Sequence, residues 1–244
     1  MPHFYVKPEN IKNKSFIMDN ELVHYVSNVR RFQEGDEIMI FDGKGNSYAA
    51  VISSVSKKLI EGKILSSSYS LPEKKIILYT AIPKGGRFEW LIEKAGELGI
   101  AELVPVNTKR SVTMSFSQNK LERYEKISIA ASSQCGRSDI MKIRKPADFK
   151  TACKNAAENR DLIGVLPWES ENLNVISDIF NEKSYGGASI FIGPEGGFEN
   201  EEIEFALKTG IKTITLGKNI LRVETAAIAA SILVLNAFGV YSGK

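Results

Sequence analysis

The chain has 244 residues, a formal net charge of +3, 43% hydrophobic residues and 25% charged residues. This composition is typical of a globular protein of one or two domains, and it excludes long disorder and collagen-like repeats. No apolar run approaches the roughly 18 residues that a membrane helix needs. The polar start lacks the apolar core of a signal peptide, and two cysteines cannot form a disulfide framework, so we expect a cytoplasmic protein.

Short strands dominate the first 70 residues. Two apolar runs within Glu37–Ile52 flank the turn Asp42–Asn46, whose Asp-Gly start predicts a hairpin. Leu59–Leu65 is a third predicted strand, and Glu21–Val29 has the pattern of a short helix. Together these elements predict a small barrel-like module. The polar stretch Ser66–Lys75 predicts a domain boundary, which we place near residue 72.

Strands and helices alternate after this boundary. The predicted strands are residues 75–82, 102–106, 161–166, 188–192 and 211–216, and the predicted helices are residues 87–98, 121–133, 199–209 and 224–238. Such alternation predicts an α/β domain with a parallel sheet that is covered on both faces.

Several common catalytic motifs are absent from the sequence. The only histidines, His3 and His24, are far from any cysteine pair, so we expect no zinc site and no other metal. There is also no P-loop, no Gly-x-Gly-x-x-Gly and no Gly-x-Ser-x-Gly. These absences argue against a kinase, a simple NAD-dependent oxidoreductase and a serine hydrolase.

Two segments that follow predicted strands could instead form a ligand site. One is Ile190–Phe198, in which a buried strand leads directly into Gly193-Pro194-Glu195-Gly196-Gly197. The other is Leu216–Ala226, which leads into an Ala-rich helix. Ligands of open α/β sheets bind beyond the carboxyl ends of the strands, and glycines there let a ligand approach the backbone. Plain strand-to-helix turns and a core helix are the simpler alternatives.

Both segments resemble the signature motifs of the SPOUT methyltransferases, and more narrowly those of the bacterial enzymes that methylate N3 of a uridine in 16S ribosomal RNA. Weaker similarities in the right order extend this resemblance over nearly the whole chain: residues 24–31, 34–36, 83–90, 94–99, 109–111 and 134–137. The sequence departs from the family pattern at Ser133 and Cys135, where an acidic residue and a small residue are expected.

The resemblance implies a fold, a cofactor and partners. Residues 1–72 would form a PUA-like RNA-binding β-barrel, and residues 73–244 would form a SPOUT domain with a C-terminal trefoil knot. The expected cofactor is S-adenosylmethionine, and the expected partners are 16S ribosomal RNA, in the 30S particle, and a second copy of the chain. The implied cofactor-binding residues are Leu166, Pro167, Ile192, Gly193, Pro194, Glu195, Gly196, Gly197, Leu216, Gly217, Ile220, Leu221, Arg222, Thr225 and Ala226.

Uridine N3 carries a proton that must leave before or during methylation. A base, or a cation that stabilises the uridine anion, is therefore expected. Arg222 is the predicted cation, and Glu195 or Glu224 is the predicted base. Alternatively, Glu224 only caps a helix and pairs with Arg222.

RNA binding is suggested by the distribution of charge. Residues 71–150 carry 15 Lys/Arg against 9 Asp/Glu, or +6, whereas residues 1–70 carry 9 against 8 and residues 151–244 carry 8 against 12. A basic middle segment indicates a surface that faces a polyanion, although ordinary solvated charge explains it equally well. The predicted RNA-binding residues are Arg30, Arg31, Lys84, Arg87, Arg110 and Arg137.

Two other functions remain open from the sequence. One is ribose 2′-O-methylation by an enzyme of the same superfamily, although such enzymes tend to carry an Asn- and Ser-containing motif at the position of Arg222–Ala226. The other is a non-catalytic RNA-binding assembly factor.

Overall fold

The structure is a computed structural model that describes residues 2–19, 21–24, 26, 31–111, 116–180 and 184–241. The chain divides into two compact units. The first consists of Met1–Leu71 and Ile129–Ile140, and the second of Pro72–Ser128 and Met141–Lys244. The first unit therefore includes a segment from the middle of the chain, which a simple division near residue 72 does not contain.

The first unit is built on a mostly antiparallel sheet. Its described strands are β1 (His3–Tyr5), β2 (Ile11–Lys12), β3 (Ser15–Asp19), β4 (Glu37–Phe41), β5 (Asn46–Val55) and β6 (Leu59–Tyr69). Their order is β1-β4-β5-β6-β3-β2, and only the β1–β4 pair is parallel. Helix α1 (Glu21–His24) covers the start of the predicted helix 21–29, while residues 25 and 27–30 lie outside the described residues.

The predicted hairpin is confirmed, and Asp42 explains its turn. The Asp42 carboxylate accepts hydrogen bonds from the Lys44 N–H at 2.8 Å and from the Asn46 N–H at 3.1 Å. Gly43 and Gly45 both have positive φ, at 73° and 105°, which glycine adopts without steric cost. The turn that joins β4 to β5 is therefore predicted by Asp42 and by the glycines at positions 43 and 45.

Strand β6 is longer than predicted. Residues 66–69, which the sequence assigns to a polar linker, pair with residues 46–49 of β5 instead. The Ser47 and Ser68 hydroxyls lie 2.8 Å apart in a cross-strand hydrogen bond. Pairing with a neighbouring strand therefore overrides the loop-like composition of the serine run.

The middle segment joins the first unit through backbone hydrogen bonds. The Gly45 N–H donates to the Ser138 carbonyl at 3.1 Å, and the Ile140 N–H donates to the Gly43 carbonyl at 3.3 Å. Arg137 and Asp139 form two hydrogen bonds, with Nε–Oδ1 at 2.9 Å and Nη2–Oδ2 at 2.6 Å, and their side chains are only 10% and 14% exposed. Residues 136–140 are thus held by the hairpin turn and by an internal ion pair.

The second unit contains a parallel sheet. Its described strands are β7 (Lys75–Thr80), β8 (Glu102–Asn107), β9 (Lys142–Ile143), β10 (Ala147–Asp148), β11 (Leu162–Pro167), β12 (Gly187–Ile192) and β13 (Lys212–Ile214). Their order is β10-β8-β7-β12-β11-β13, with β9 also paired to β8, and all these pairs are parallel. The remaining helices of the described chain are α2 (Arg87–Glu97), α3 (Gln118–Cys135), α4 (Phe149–Glu158), α5 (Ile176–Phe180), α6 (Asn200–Lys208) and α7 (Val223–Ala237).

Helices cover both faces of this sheet, as the alternation of elements predicts. In β7, Ile76 and Leu78 pack into one core with α2 and α7. Ile77 and Tyr79 point to the other face and pack with α4 and α6. Because such a strand is buried on both sides, its sequence is a continuous apolar run. The predicted α/β class of this half of the chain is confirmed.

The second unit differs from the sequence prediction in the end of one strand and in four additional elements. Strand β13 ends at Ile214, so residues 215 and 216 belong to the following loop rather than to the strand. Strands β9 and β10 and helices α4 and α5 have no counterpart among the predicted elements. Helix α4 has a clear signal in hindsight, because the Asp148 side chain accepts the Thr151 N–H at 3.0 Å as an N-cap and an apolar face follows.

No helix in the described ranges combines the length and apolar composition required to cross a bilayer. The same residues contain no cluster of three or more His, Cys, Asp or Glu side chains arranged to hold a metal ion.

Candidate functional site

Three loops at the carboxyl ends of adjacent strands enclose a cleft in the second unit. Strand β11 lies between β12 and β13, so the segments that follow these three strands meet at one edge of the sheet. The cleft has a volume of about 340 Å³ and is lined by residues 167–169, 192–198, 216–221, 223 and 226. Its size and its place beyond the strand ends are those of a small-molecule site in an open α/β sheet.

Most of the predicted cofactor residues line this cleft. The exceptions are Leu166, which is buried in β11, and Arg222 and Thr225, which are exposed beside it. Phe198, Lys218, Asn219 and Val223 also line the cleft, and they lie within the two segments that the sequence marks as a candidate ligand site. Trp168 and Glu169, which follow β11, line it as well but lie outside both segments.

The loop after β12, residues 193–198, requires its glycines. The Gly197 N–H donates to the Pro194 carbonyl at 2.9 Å, and Gly197 has a φ of 69°. A Cβ added at Gly197 would lie 2.4 Å from Glu169 Oε1, and one added at Gly193 would lie 2.9 Å from the Phe198 ring. Gly193 therefore allows a close approach to the buried Phe198 ring that a side chain would block, whereas the exposed Glu169 carboxylate can move aside and it is the positive φ that favours glycine at Gly197.

A turn after β8 holds the same loop from outside the cleft. Arg110 Nη1 donates to the Gly196 carbonyl at 2.7 Å, and Arg110 Nε donates to Glu199 Oε1 at 2.8 Å. The Lys109 N–H donates at 2.9 Å to Glu202, whose carboxylate is buried and also accepts the Glu199 N–H at 2.9 Å. The turn thus binds both the loop and the N-terminus of α6.

Glu171 fixes the loop after β11. Its carboxylate accepts hydrogen bonds from the Thr213 hydroxyl at 2.6 Å, from the Leu173 and Asn174 N–H groups at 3.0 and 3.2 Å, and from the Asn174 side chain at 2.9 Å. These donors, the Thr213 hydroxyl first, lower the pKa of Glu171 to about 2. Because Thr213 belongs to β13, this carboxylate ties two of the three cleft-forming segments together.

The loop after β13 completes the cleft. The Thr215 N–H donates to the Asn174 carbonyl at 2.9 Å, and the Gly217 N–H donates to the Thr215 hydroxyl at 3.1 Å. Gly217 has a φ of 99°, so a glycine is also favoured here. Helix α7 follows at once, and the burial of Ala227 and Ala230 shows the close packing that its Ala-rich start predicts.

The three predicted catalytic residues have different environments. Glu195 is exposed on the cleft wall, and its Oε1 accepts the Lys84 N–H at 3.3 Å. Arg222 is exposed and is the N-cap residue of α7. Glu224 is buried in the first turn of α7, with its Oε1 at 3.6 Å from Arg87 Nη1. The alternative pairing of Glu224 with Arg222 is not seen among the described residues, where Glu224 Oε2 has no hydrogen-bond partner.

The predicted RNA-binding residues differ in their exposure and in their pairing with carboxylates. Arg30 lies outside the described residues, whereas Arg31 and Lys84 are exposed. The other predicted cations are paired with carboxylates within their own units: Arg87 with Glu224, Arg110 with Glu199 and Arg137 with Asp139.

Comparisons with known proteins match both halves of the chain. A family model described as "RNA methyltransferase domain" matches residues 70–235, and one described as "RNA methyltransferase PUA domain" matches residues 18–65. Two relatives named "Ribosomal RNA small subunit methyltransferase E" are similar over most of their length. The one from Mesomycoplasma hyopneumoniae is 34% identical over 93% of this chain and 96% of its own, and the one from Buchnera aphidicola is 30% identical over 98% and 94%.

A solved structure shows the same similarity in three dimensions. It is a ribosomal RNA small subunit methyltransferase E from Neisseria gonorrhoeae bound to S-adenosyl methionine. It is 28% identical to this chain, with a TM-score of 0.87, and the match covers 97% of each chain.

Proposed function

Because this chain belongs to the RNA methyltransferase family, we propose that it transfers a methyl group from S-adenosylmethionine to N3 of a uridine in 16S ribosomal RNA. The observation that carries this proposal is the cleft of three loops at the carboxyl ends of β12, β11 and β13. The names of the relatives support ribosomal RNA of the small subunit as the substrate, and the donor-bound neighbour supports the cofactor.

The residues of the cleft fit the proposed donor. Its volume of about 340 Å³ suits a ligand of nucleoside size. Apolar side chains of Trp168, Leu216 and Leu221 line it and can pack against an adenine ring, while Gly193 and Gly217 have no side chain that would keep a ligand away from the backbone. Gly197 adopts a φ of 69°, which residues with a side chain rarely adopt, so glycine is favoured in this part of the cleft wall.

When bound, S-adenosylmethionine supplies an electrophilic methyl group on a sulfonium. The residues of the chain then have to hold the uridine in line, exclude water and handle the N3 proton. We assign proton removal to Glu195, because it is the predicted carboxylate that lines the cleft. Arg222 stabilises the negative charge that develops on the uridine, because its guanidinium is exposed next to Leu221 and carries no assigned carboxylate partner among the described ion pairs.

Glu224 suits a positioning role better than proton removal. It is buried beside Arg87, and a carboxylate in the first turn of a helix interacts favourably with the helix dipole. We therefore propose that Glu224 orients the start of α7, and with it Arg222, rather than acting as the base.

RNA binding is proposed for the exposed cations. Arg31 and Lys84 carry no carboxylate contact among the described ion pairs, and Lys84 lies beside Glu195 of the cleft. Cations that contact phosphates make binding fall steeply with salt. The target uridine must also leave its stack to reach the cleft.

Further properties are proposed from the resemblance. We propose a PUA-like domain over residues 1–72 and a methyltransferase domain over residues 73–244, with a trefoil knot near the C-terminus. We also propose that the protein is a homodimer, that it is located in the cytoplasm and that its substrate is the 30S particle. The order β12-β11-β13 is consistent with the knot, because the chain returns past β11 to reach β13. Exposed apolar residues on α7, Ile232 and Leu233, support an interface between two copies.

The test is a transfer assay with labelled S-adenosylmethionine, using 30S particles and naked 16S RNA in parallel, followed by mass spectrometry of the digested RNA. We expect label on N3 of one uridine. Label on a ribose 2′-oxygen would indicate the alternative methyltransferase, and donor-independent RNA binding without label would indicate an assembly factor. Arg222→Ala should abolish transfer without loss of folding, whereas Lys208→Ala on the exposed face of α6 should transfer at the wild-type rate.

A further inference from the structure

Among the described cations that are predicted to bind RNA, Arg110 makes the closest contact with residues 193–198, the glycine-rich loop. Two different N–H groups of its guanidinium are used, Nη1 for the Gly196 carbonyl at 2.7 Å and Nε for Glu199 at 2.8 Å. Its aliphatic part also packs on Gly196, since a Cβ added there would lie 3.4 Å from Arg110 Cδ. The side chain thus spans from the loop to the N-cap of α6.

The hydrogen bond to Gly196 fixes one peptide plane from both sides. The carbonyl of Gly196 and the N–H of Gly197 belong to the same peptide unit. Arg110 binds the carbonyl, and the Pro194 carbonyl accepts the N–H at 2.9 Å. A Gly-Gly peptide has unusually large conformational freedom, so a plane held at both ends loses freedom before any ligand arrives.

The turn that carries Arg110 is held by its own hydrogen bonds. The Ser111 hydroxyl donates to the Thr108 carbonyl and accepts the Thr108 N–H, both at 2.9 Å. The Lys109 N–H is bound to the buried Glu202 carboxylate. Arg110 therefore reaches the loop from a turn that is anchored independently of the loop.

We infer that Arg110 is a positioning residue for the donor site, which presets the Gly196–Gly197 peptide through the Gly196 carbonyl. This inference rests on the proposed function. Without Arg110, the loop has to be ordered at the moment of binding, which reduces affinity for the donor. Lysine cannot replace it, because a single ammonium does not reproduce the two divergent N–H contacts.

Lys109 provides a matched control in the same turn. Its ammonium pairs with Glu201, and both side chains are more than half exposed. Such exposed pairs contribute little, and none of the described contacts of the Lys109 side chain reaches the glycine-rich loop. Lys109→Ala therefore removes the same charge from the same turn while leaving the Gly196 carbonyl bound.

The first measurement is calorimetric titration of S-adenosylmethionine into RNA-free protein. We expect Arg110→Ala to raise the dissociation constant about tenfold and Arg110→Lys to raise it at least about fivefold. The dissociation constant of Lys109→Ala should stay within about twofold of the wild-type value. Thermal unfolding of each variant checks that folding is retained.

The second measurement is hydrogen exchange of the peptide covering residues 193–198 without donor. Arg110→Ala should speed exchange at least about fivefold, and Lys109→Ala should leave it unchanged. If Arg110→Ala behaves like Lys109→Ala in both measurements, the inference is wrong. If Arg110→Ala and Lys109→Ala lower RNA affinity and its salt dependence equally, while both bind S-adenosylmethionine as the wild type does, Arg110 is an RNA contact only. If the wild type itself binds no donor, the proposed function fails, and the exchange comparison still decides whether Arg110 fixes the loop.

Discussion

The hydrogen bond between Glu171 and Thr213 should be the strongest side-chain contact that holds the loop after β11 to β13. The Thr213 side chain is buried, and its hydroxyl lies 2.6 Å from the carboxylate of the partly exposed Glu171, so the bond is charge-assisted but open to water on the carboxylate side. Such bonds contribute about 1.5–3 kcal/mol. The two backbone N–H donors are exposed and can be rehydrated, so each adds at most about 0.5 kcal/mol. Glu171→Ala should therefore lower the free energy of unfolding by about 2–3 kcal/mol, and Thr213→Val by about 1.5 kcal/mol.

A double-mutant cycle in urea tests this reasoning. Both tryptophans, Trp90 and Trp168, lie in the second unit, so their fluorescence reports on the unit that contains the bond. Because the two substitutions remove the same interaction, the double variant should be destabilised no more than Glu171→Ala alone, which gives a coupling of about 1.5 kcal/mol. Two losses that simply add, or an unchanged stability of Thr213→Val, would refute the assignment.

Three further predictions follow from single groups. The pKa of Glu171 in the folded chain, about 2, lies below its ordinary value of 4.5. The contribution of its carboxylate to the free energy of unfolding is therefore complete above about pH 4.5 and is lost as the pH falls toward 2. Urea unfolding should thus show a smaller difference between wild type and Glu171→Gln at pH 3 than at pH 7, and an equal difference would contradict this linkage. Gly187→Ala should cost more than about 3 kcal/mol in the same assay, because its Cβ would overlap the Lys75 carbonyl oxygen where the paired strands β12 and β7 begin; a near-native midpoint would mean that the strands separate easily. Burial raises the pKa of the Cys153 thiol to about 12, so a thiol reagent at pH 8 should modify the exposed Cys135 alone in the native protein and both cysteines in denaturant.

The sequence predicts the main strands of the second unit well, because a strand that is buried on both faces is a continuous apolar run in the sequence. Strand β12 is buried at every position, and such strands are continuous apolar runs that stand out from the chain. The extension of β6 and the inclusion of residues 129–140 in the first unit depend instead on distant partners, such as the Gly45 N–H that binds Ser138. Helix α4 is an intermediate case, since the Asp148 cap and the apolar face that follows it are a local signal for its N-terminus.

The candidate site can be predicted where the backbone conformation requires glycine. It is harder to predict where side chains converge from segments that are distant in the sequence. The motif Gly193–Gly197 was found from its position after a strand and lies in the cleft. Trp168 and Glu169 line the same cleft, but their segment carries no glycine or turn signal that marks it as part of a site. The contacts of Arg110 depend on the packing of β8 beside β7 and on the position of α6, which the order of elements along the chain does not define.

The central claim is that the three loops after β11, β12 and β13 bind the methyl donor. The most direct measurement is a crystal structure of the protein soaked with S-adenosylmethionine. We predict density for the whole donor in the cleft, in contact with the backbone of residues 193–197 and 216–221. A cleft that stays closed by its own side chains, or a donor bound elsewhere on the chain, would contradict the account.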